Sequence, residues 1–343
     1  MKTIAVLGGG SWGSALALHL ARQGNNIRIY EPVAEQVEEI NQERTNSRYL
    51  KGQKFPAGIE ASTKLEWVTN KAEAILLVVP SHVLGEVMDQ LSPLLQEDQY
   101  LLNCSKGLDE KTLEPLSRLI RSRVSAANQD LIAVLSGPTH AEEVSRGLPS
   151  AAVVASNNEH VARYFQNLII DSNFRIYSSP DVVGVELGGA VKNIIAIAAG
   201  ICDGMGFGDN TRAALITRGL SEISRLGLAE GAQPHTFSGL AGLGDLIVTC
   251  ASKHSRNWNF GFLVGKGKTT EQALKEIDQT VEGLRTTKSV YQLSQKIGVE
   301  MPITKKVYQV LFEDLSPREG VYQLMGRLPK VEMENRRDGT EYW

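Results

Sequence analysis

At 343 residues the chain is long for one hydrophobic core, which makes two domains the expectation. Its 36 basic and 39 acidic side chains leave a net charge of −3, so no bulk attraction to nucleic acid or to an anionic membrane is expected. The 3 cysteines, Cys104, Cys202 and Cys250, form no C-x-x-C pair and suit reduced thiols, and the 6 histidines show no ligand spacing, so no metal is expected.

Met1 to Leu7 reads as a short buried strand, Gly8-Gly9-Gly10-Ser11-Trp12-Gly13 follows at once, and Ser14 to Ala21 reads as a helix. Strand, G-x-G-x-x-G and helix in that order point to a dinucleotide site. Gly8 allows the sharp turn, Gly10 opens the backbone to a pyrophosphate, and Gly13 lets the helix pack on the sheet. The helix N-terminus offers unpaired N–H groups to the phosphates. A glycine-rich turn in some other α/β unit is the competing reading.

Asn26 to Tyr30 alternates as a strand, and Glu31 follows it. A carboxylate there accepts a hydrogen bond from the adenosine ribose 2′-hydroxyl and repels a 2′-phosphate. The cofactor is therefore NAD or NADP with a mild lean to NAD. The lean is mild because Arg28, Lys51 or Lys54 could reach round, and because Glu31 could be a solvated loop residue.

Continuous apolar runs follow at Ala74 to Val79, Tyr100 to Cys104, Leu131 to Leu135 and Ala151 to Ala155. Such runs suit parallel strands covered on both faces, and the βαβ alternation predicts a doubly wound α/β sheet. Ligands then bind beyond the carboxyl ends of the strands, where Pro80-Ser81-His82, Lys106 and Thr139 lie.

From about Asp181 helical periodicity takes over, with helices expected at Val182 to Gly200, Thr211 to Leu226, Thr270 to Glu276, Arg285 to Ile297 and Thr304 to Phe312. The expected division is a dinucleotide-binding domain over 1–180, a helical substrate and catalytic domain over 181–330, and a polar tail over 331–343. The apolar helices could bury a homodimer interface or a core. No signal-peptide pattern precedes the first strand, and the longest apolar run, Ile194 to Ile201, is too short to span a bilayer. A cytoplasmic enzyme without membrane insertion is the default.

Within the helical half, Lys192 precedes the apolar run Ile194 to Ala199. If buried there its pKa falls, which suits a general acid or base near neutrality; otherwise it snorkels at a helix edge. Gly188 and Gly189, one turn earlier, suggest close approach of a backbone or ligand. Asp245 follows a glycine-rich loop and either starts a helix or pairs with Lys192. Ser255-Arg256-Asn257 could grip a phosphate or carboxylate, or form a solvated basic face, and Val281-Glu282-Gly283 could be a turn.

The segments GGGSWGSALA, VPSH, SKG, SGPTHAEEV, VELGGAVKNIIAIAAG, GLAGLGDL, SRNWNFG, VEG and VEMPIT run in order from residue 1 to about residue 327. Together they resemble the bacterial-type NAD(P)-dependent sn-glycerol-3-phosphate dehydrogenases. The resemblance implies a Rossmann-type domain followed by a mainly α-helical one. It also implies roles at matching positions. Ser11 and Trp12 would touch the dinucleotide, as would Ala141, Thr280 and Glu282. Lys106 would lie near both nicotinamide and substrate, and Gly137 and Thr139 would touch substrate. Lys192 would be the catalytic proton acceptor; Asp245, Ser255, Arg256 and Asn257 would complete the substrate set, with Arg256 also on the cofactor. The family often has a basic or amide residue around position 31, and Glu31 departs from that.

The implied reaction interconverts dihydroxyacetone phosphate and sn-glycerol 3-phosphate, supplying the latter for phospholipid synthesis. Lys192 would protonate the ketone oxygen while Lys106 stabilises its charge, and Asp245 would hold Lys192 or contact the substrate hydroxyl. Two other readings stay open. One is a β-hydroxyacid or 6-phosphogluconate-type dehydrogenase, against which GLGDL and SRN speak. The other is a non-catalytic dinucleotide sensor, which would leave Lys106, Lys192, Asp245 and Arg256 incidental.

Overall fold

The structure, a computed structural model, describes residues 1–277, 279–329 and 332. The predicted tail over 331–343 therefore lies, but for Glu332, outside the described residues.

Eight strands form one sheet: β1 (Thr3–Leu7), β2 (Asn26–Tyr30), β3 (Ile59–Ser62), β4 (Ala74–Leu77), β5 (Tyr100–Asn103), β6 (Ile132–Ser136), β7 (Ser150–Ala155) and β8 (Phe174–Ser179). Their spatial order is β3-β2-β1-β4-β5-β6-β7-β8, with Ile4 opposite both Ile27 and Ala74. Alternation sorts the side chains. Ile4, Val6, Ile27, Ile29 and Leu76 join the core under the Ser11–Arg22 helix, while Ala5, Leu7, Ile75 and Leu77 join the core on the other face. That double burial is why these strands read as unbroken apolar runs.

The sheet departs from the sequence reading in two ways. The strands β3 and β8 escaped sequence reading because each is an edge strand carrying polar side chains, Glu60 in one and Arg175 in the other. β7 is antiparallel to β6, whereas the alternation predicted parallel pairing throughout. The chain between them holds only a five-residue helix, Ala141–Ser145, which rises roughly 7.5 Å. A strand of five residues runs about 17 Å, so this helix cannot carry the chain back across the sheet. Ser255-Arg256-Asn257 opens a helix the sequence reading did not predict, Arg256–Gly265, with Ser255 at its cap.

β1, β4, β5 and β6 are neighbours and mutually parallel, so their carboxyl ends line up along one edge. The glycine loop, Ser81, Lys106 and Gly137 follow those four ends in that order. Strand order reverses direction at β1 and β4, the place where such sheets bind ligands.

The helical domain is built round Val182–Gly204, which is buried without a break from Gly184 to Cys202. By length and composition this helix could cross a membrane, but 89% of its most apolar window is buried inside the protein, and it is the core of the domain. The helices Asp209–Ala229, Asp245–Ala251, Arg256–Gly265 and Glu282–Ile297 surround it.

Candidate active site

The glycine loop has the form a pyrophosphate requires. Gly8 has φ +118°, and a Cβ on Gly13 would lie 1.9 Å from the Gly8 carbonyl oxygen, so neither tolerates a side chain. A Cβ on Gly10 would meet nothing within 4 Å, leaving open space above the loop. The helix that begins at Ser11 carries no side-chain cap and no acidic residue in its first turn. Its N–H groups are thus free for phosphate oxygens, and its dipole favours them. Trp12 packs on the sheet core beside the loop.

Glu31 is not a solvated loop residue. It is buried, with Oε2 accepting from Gly9 N at 3.2 Å and Oε1 from Val33 N at 3.1 Å. Burial raises its pKa against those two hydrogen bonds. Arg28 does not reach round: its Nη1 donates to the carbonyls of Trp67 and Asn70, and its guanidinium stacks on Trp67. The cation whose field reaches Glu31 is Arg48.

Where the ends of β5 and β6 meet the helical domain, four segments distant in sequence come together. Lys192 is 6% exposed, and its Nζ donates to Asp245 Oδ1 and to Thr249 Oγ1. Lys106 Nζ donates to the second oxygen, Asp245 Oδ2, at 2.8 Å, and to Gly137 O at 3.4 Å. Asp245 is the first residue of its helix, yet its side chain makes no cap; it is shared by two ammonium groups. Burial pulls the Lys192 ammonium down to about 7, with Lys106 adding to the fall and Asp245 opposing it. Burial also pushes Asp245 up, but the two lysines outweigh it and hold the carboxyl below its usual range.

Close packing makes the meeting possible. A Cβ on Gly188 would lie 2.5 Å from Ala241 O, and one on Gly189 would lie 2.3 Å from Ser136 Oγ. Without side chains there, the Lys192 helix reaches both the loop leading to Asp245 and the end of β6.

The remaining positions divide between cleft and scaffold. Arg256 is exposed, and its Nη1 donates to Thr280 O at 3.2 Å, which steadies the guanidinium. Ser255 Oγ caps the helix that Arg256 begins, accepting from Trp258 N. Asn257 is buried: Oδ1 accepts from Gly283 N at 2.8 Å and Nδ2 donates to Asn193 Oδ1 at 2.9 Å, so one amide hydrogen is left for any ligand. Glu282 is no bare turn residue; it starts a helix and accepts from Ser81 Oγ at 2.7 Å across the two domains. Thr139 Oγ1 donates to Gly137 O, and Ala141 opens the short helix after it.

Thr249 and Asn193 belong to this cluster and escaped sequence reading. Thr249 stands four residues after Asp245 and Asn193 directly after Lys192. The i, i+4 spacing on a short helix was the available signal for the first. Among the described residues no group of three or more His, Cys, Asp or Glu could hold a metal ion.

Comparison with known proteins places both halves of the chain in one family. The family model for the NAD-dependent glycerol-3-phosphate dehydrogenase N-terminus matches residues 3–162, and that for the C-terminus matches residues 181–322. The chain is 50% identical over 333 residues to a glycerol-3-phosphate dehydrogenase [NAD(P)+] of Halothermothrix orenii, covering 96% of each chain. It is 46% identical over 336 residues to the enzyme of that name from Shouchella clausii, covering 98% of this chain and 99% of that one. The crystal structure of glycerol-3-phosphate dehydrogenase from Coxiella burnetii superposes with a TM-score of 0.91 at 41% identity, over 95% of this chain and 99% of that one. Of the three readings the sequence left open, matches across both halves select one. The chain belongs to the NAD-dependent glycerol-3-phosphate dehydrogenase family.

Proposed function

We propose that the protein interconverts dihydroxyacetone phosphate and sn-glycerol 3-phosphate with NAD(P)H, and so supplies glycerol 3-phosphate for phospholipid synthesis. The observation that carries the reading is one buried carboxylate, Asp245, shared by the two ammonium groups of Lys106 and Lys192. Two cations against one anion leave a net positive site, which suits a phosphorylated substrate whose ketone oxygen gains negative charge.

Gly8, Gly10, Ser11, Trp12, Gly13 and Glu31 would hold the adenosine and pyrophosphate half of the dinucleotide, and Lys106, Ala141, Arg256, Thr280 and Glu282 its nicotinamide half. A bound nicotinamide supplies or accepts a hydride at the substrate's C2. Lys192, as ammonium, donates a proton to the oxygen on that carbon; in the oxidative direction neutral Lys192 removes it. A pKa of about 7 keeps both forms populated near neutrality. Lys106, held against Asp245, stabilises the developing alkoxide. Thr249 gives the Lys192 ammonium a second partner, which fixes its direction. The substrate phosphate falls to Arg256, with Ser255, Asn257, Gly137 and Thr139 around it. Binding energy from that non-reacting phosphate orients C2 for transfer.

A cytoplasmic location is part of the proposal, supported by three buried free thiols. The test is oxidation of NADH and NADPH by the purified protein with dihydroxyacetone phosphate as sole acceptor. Rapid turnover is expected, faster with NADH if Glu31 reads the ribose hydroxyl. No turnover with either cofactor would overturn the assignment.

A further inference from the structure

Glu186 is a buried acid outside the chemistry described so far. Glu186 lies on the Lys192 helix, six residues earlier, which places it about 120° round the helix from Lys192. It is 8% exposed, and no ion pair to it is present among the described residues. Its three donors are neutral. Oε1 accepts from Ser117 N at 2.9 Å and from Asn103 Nδ2 at 3.2 Å, and Oε2 accepts from Ser117 Oγ. A buried carboxylate without an ion pair is costly, and burial lifts its pKa to about 7 against those hydrogen bonds and the field of Arg118.

The two partners are the two ends of one segment. Asn103 closes β5, and Ser117 stands in the first turn of the Leu116–Arg123 helix. Lys106 lies between them. Asn103 passes the constraint on: its Oδ1 accepts from Ser105 N at 3.1 Å, immediately before Lys106. Ser105 Oγ donates in turn to Val79 O at 2.6 Å. The intervening chain rests on the helical domain through Leu108 and Leu113 and through an Arg285–Glu110 ion pair at 2.8 Å. The helix that carries Lys192 thus grips the Lys106 segment at its entrance and its exit with one carboxylate.

We propose that Glu186 is a positioning residue that sets Lys106 against Asp245 and Lys192 by clamping Asn103 and Ser117. This rests on the reading that Lys106 acts on the substrate. Positioning needs acceptors rather than charge. Glu186→Gln can keep Oε1 on Asn103 and Ser117 N while its amide donates to the turned Ser117 hydroxyl.

The test is a double-mutant cycle with Lys106→Ala, read as kcat for dihydroxyacetone phosphate reduction and as Kd for NADH. Glu186→Ala should lower kcat about 10- to 100-fold, as a misplaced catalytic group does. NADH binding should change little, and Glu186→Gln should restore most of the rate. In the Lys106→Ala background, adding Glu186→Ala should cost less than about threefold, because the group it positions is gone. Asn103→Ala gives the same cycle if Glu186→Ala does not fold. The full loss in both backgrounds would overturn the proposal alone. Unchanged turnover in Lys106→Ala would overturn the reading of Lys106, and the proposal with it.

Discussion

The glycine loop, after β1, and the lysine–aspartate cluster, where the ends of β5 and β6 meet the helical domain, work by opposite means. Gly8, Gly10 and Gly13 act through absent side chains, by letting backbone approach backbone or leaving open space. Lys106, Lys192 and Asp245 act through charged side chains brought together, with Lys192 and Asp245 buried. The first arrangement is local in sequence, and its failure is steric. The second is assembled from distant segments, and its failure is electrostatic and depends on pH.

Substitutions should separate the two. Lys192→Ala should have the largest effect, lowering kcat on the order of 10²- to 10⁴-fold while NADH still binds, measured by steady-state turnover and fluorescence titration. Near-normal turnover would remove Lys192 from the proton transfer. Arg256→Ala should act mainly on the substrate, raising KM by about 1.5–3 kcal/mol with kcat less affected. An unchanged KM would move the phosphate site elsewhere. Gly13→Ala should act on the glycine loop. Its Cβ would sit 1.9 Å from backbone that cannot swing away, so a cost of about 1–3 kcal/mol is expected. That cost should appear as weaker NADH binding or a lower Tm, with the pH dependence of the remaining turnover unchanged.

The same contrast explains what the sequence disclosed. The glycine loop was legible because its spacing and its flanking strand and helix are contiguous from Thr3 to Arg22. β1 and the interior strands β4 to β6 were legible because burial on both faces leaves continuous apolar runs, and β2 because Ile27 and Ile29 alternate with less buried residues. The edge strands β3 and β8 were not, since one exposed face admits Glu60 and Arg175. The apolar neighbours of Lys192 left burial and snorkelling both open, and the structure buries it. Its pairing with Asp245, 53 residues away, did not, because no spacing rule spans that distance. Glu186 was invisible for the same reason: its partners lie 83 and 69 residues earlier, and neither is charged. The scaffold uses of Ser255 and Asn257 were hidden because the run holding them read as an anion grip or a solvated basic face, and its cap and its partner Asn193 lie outside that pattern.

The central claim is that Asp245 sets the proton affinity of Lys192 by sharing its two oxygens between two lysines. Burial lowers the Lys192 pKa to about 7, and Asp245 opposes that fall. Reduction needs the ammonium form, so its rate should decline as pH rises through about 7, while the oxidative rate climbs. Asp245→Asn keeps the shape but removes the charge that favours the ammonium. The direct measurement is therefore the pH profile of kcat for dihydroxyacetone phosphate reduction in the natural protein and in Asp245→Asn. The account predicts that the declining limb moves to lower pH in the variant. A limb that stays in place, or moves to higher pH, would contradict it.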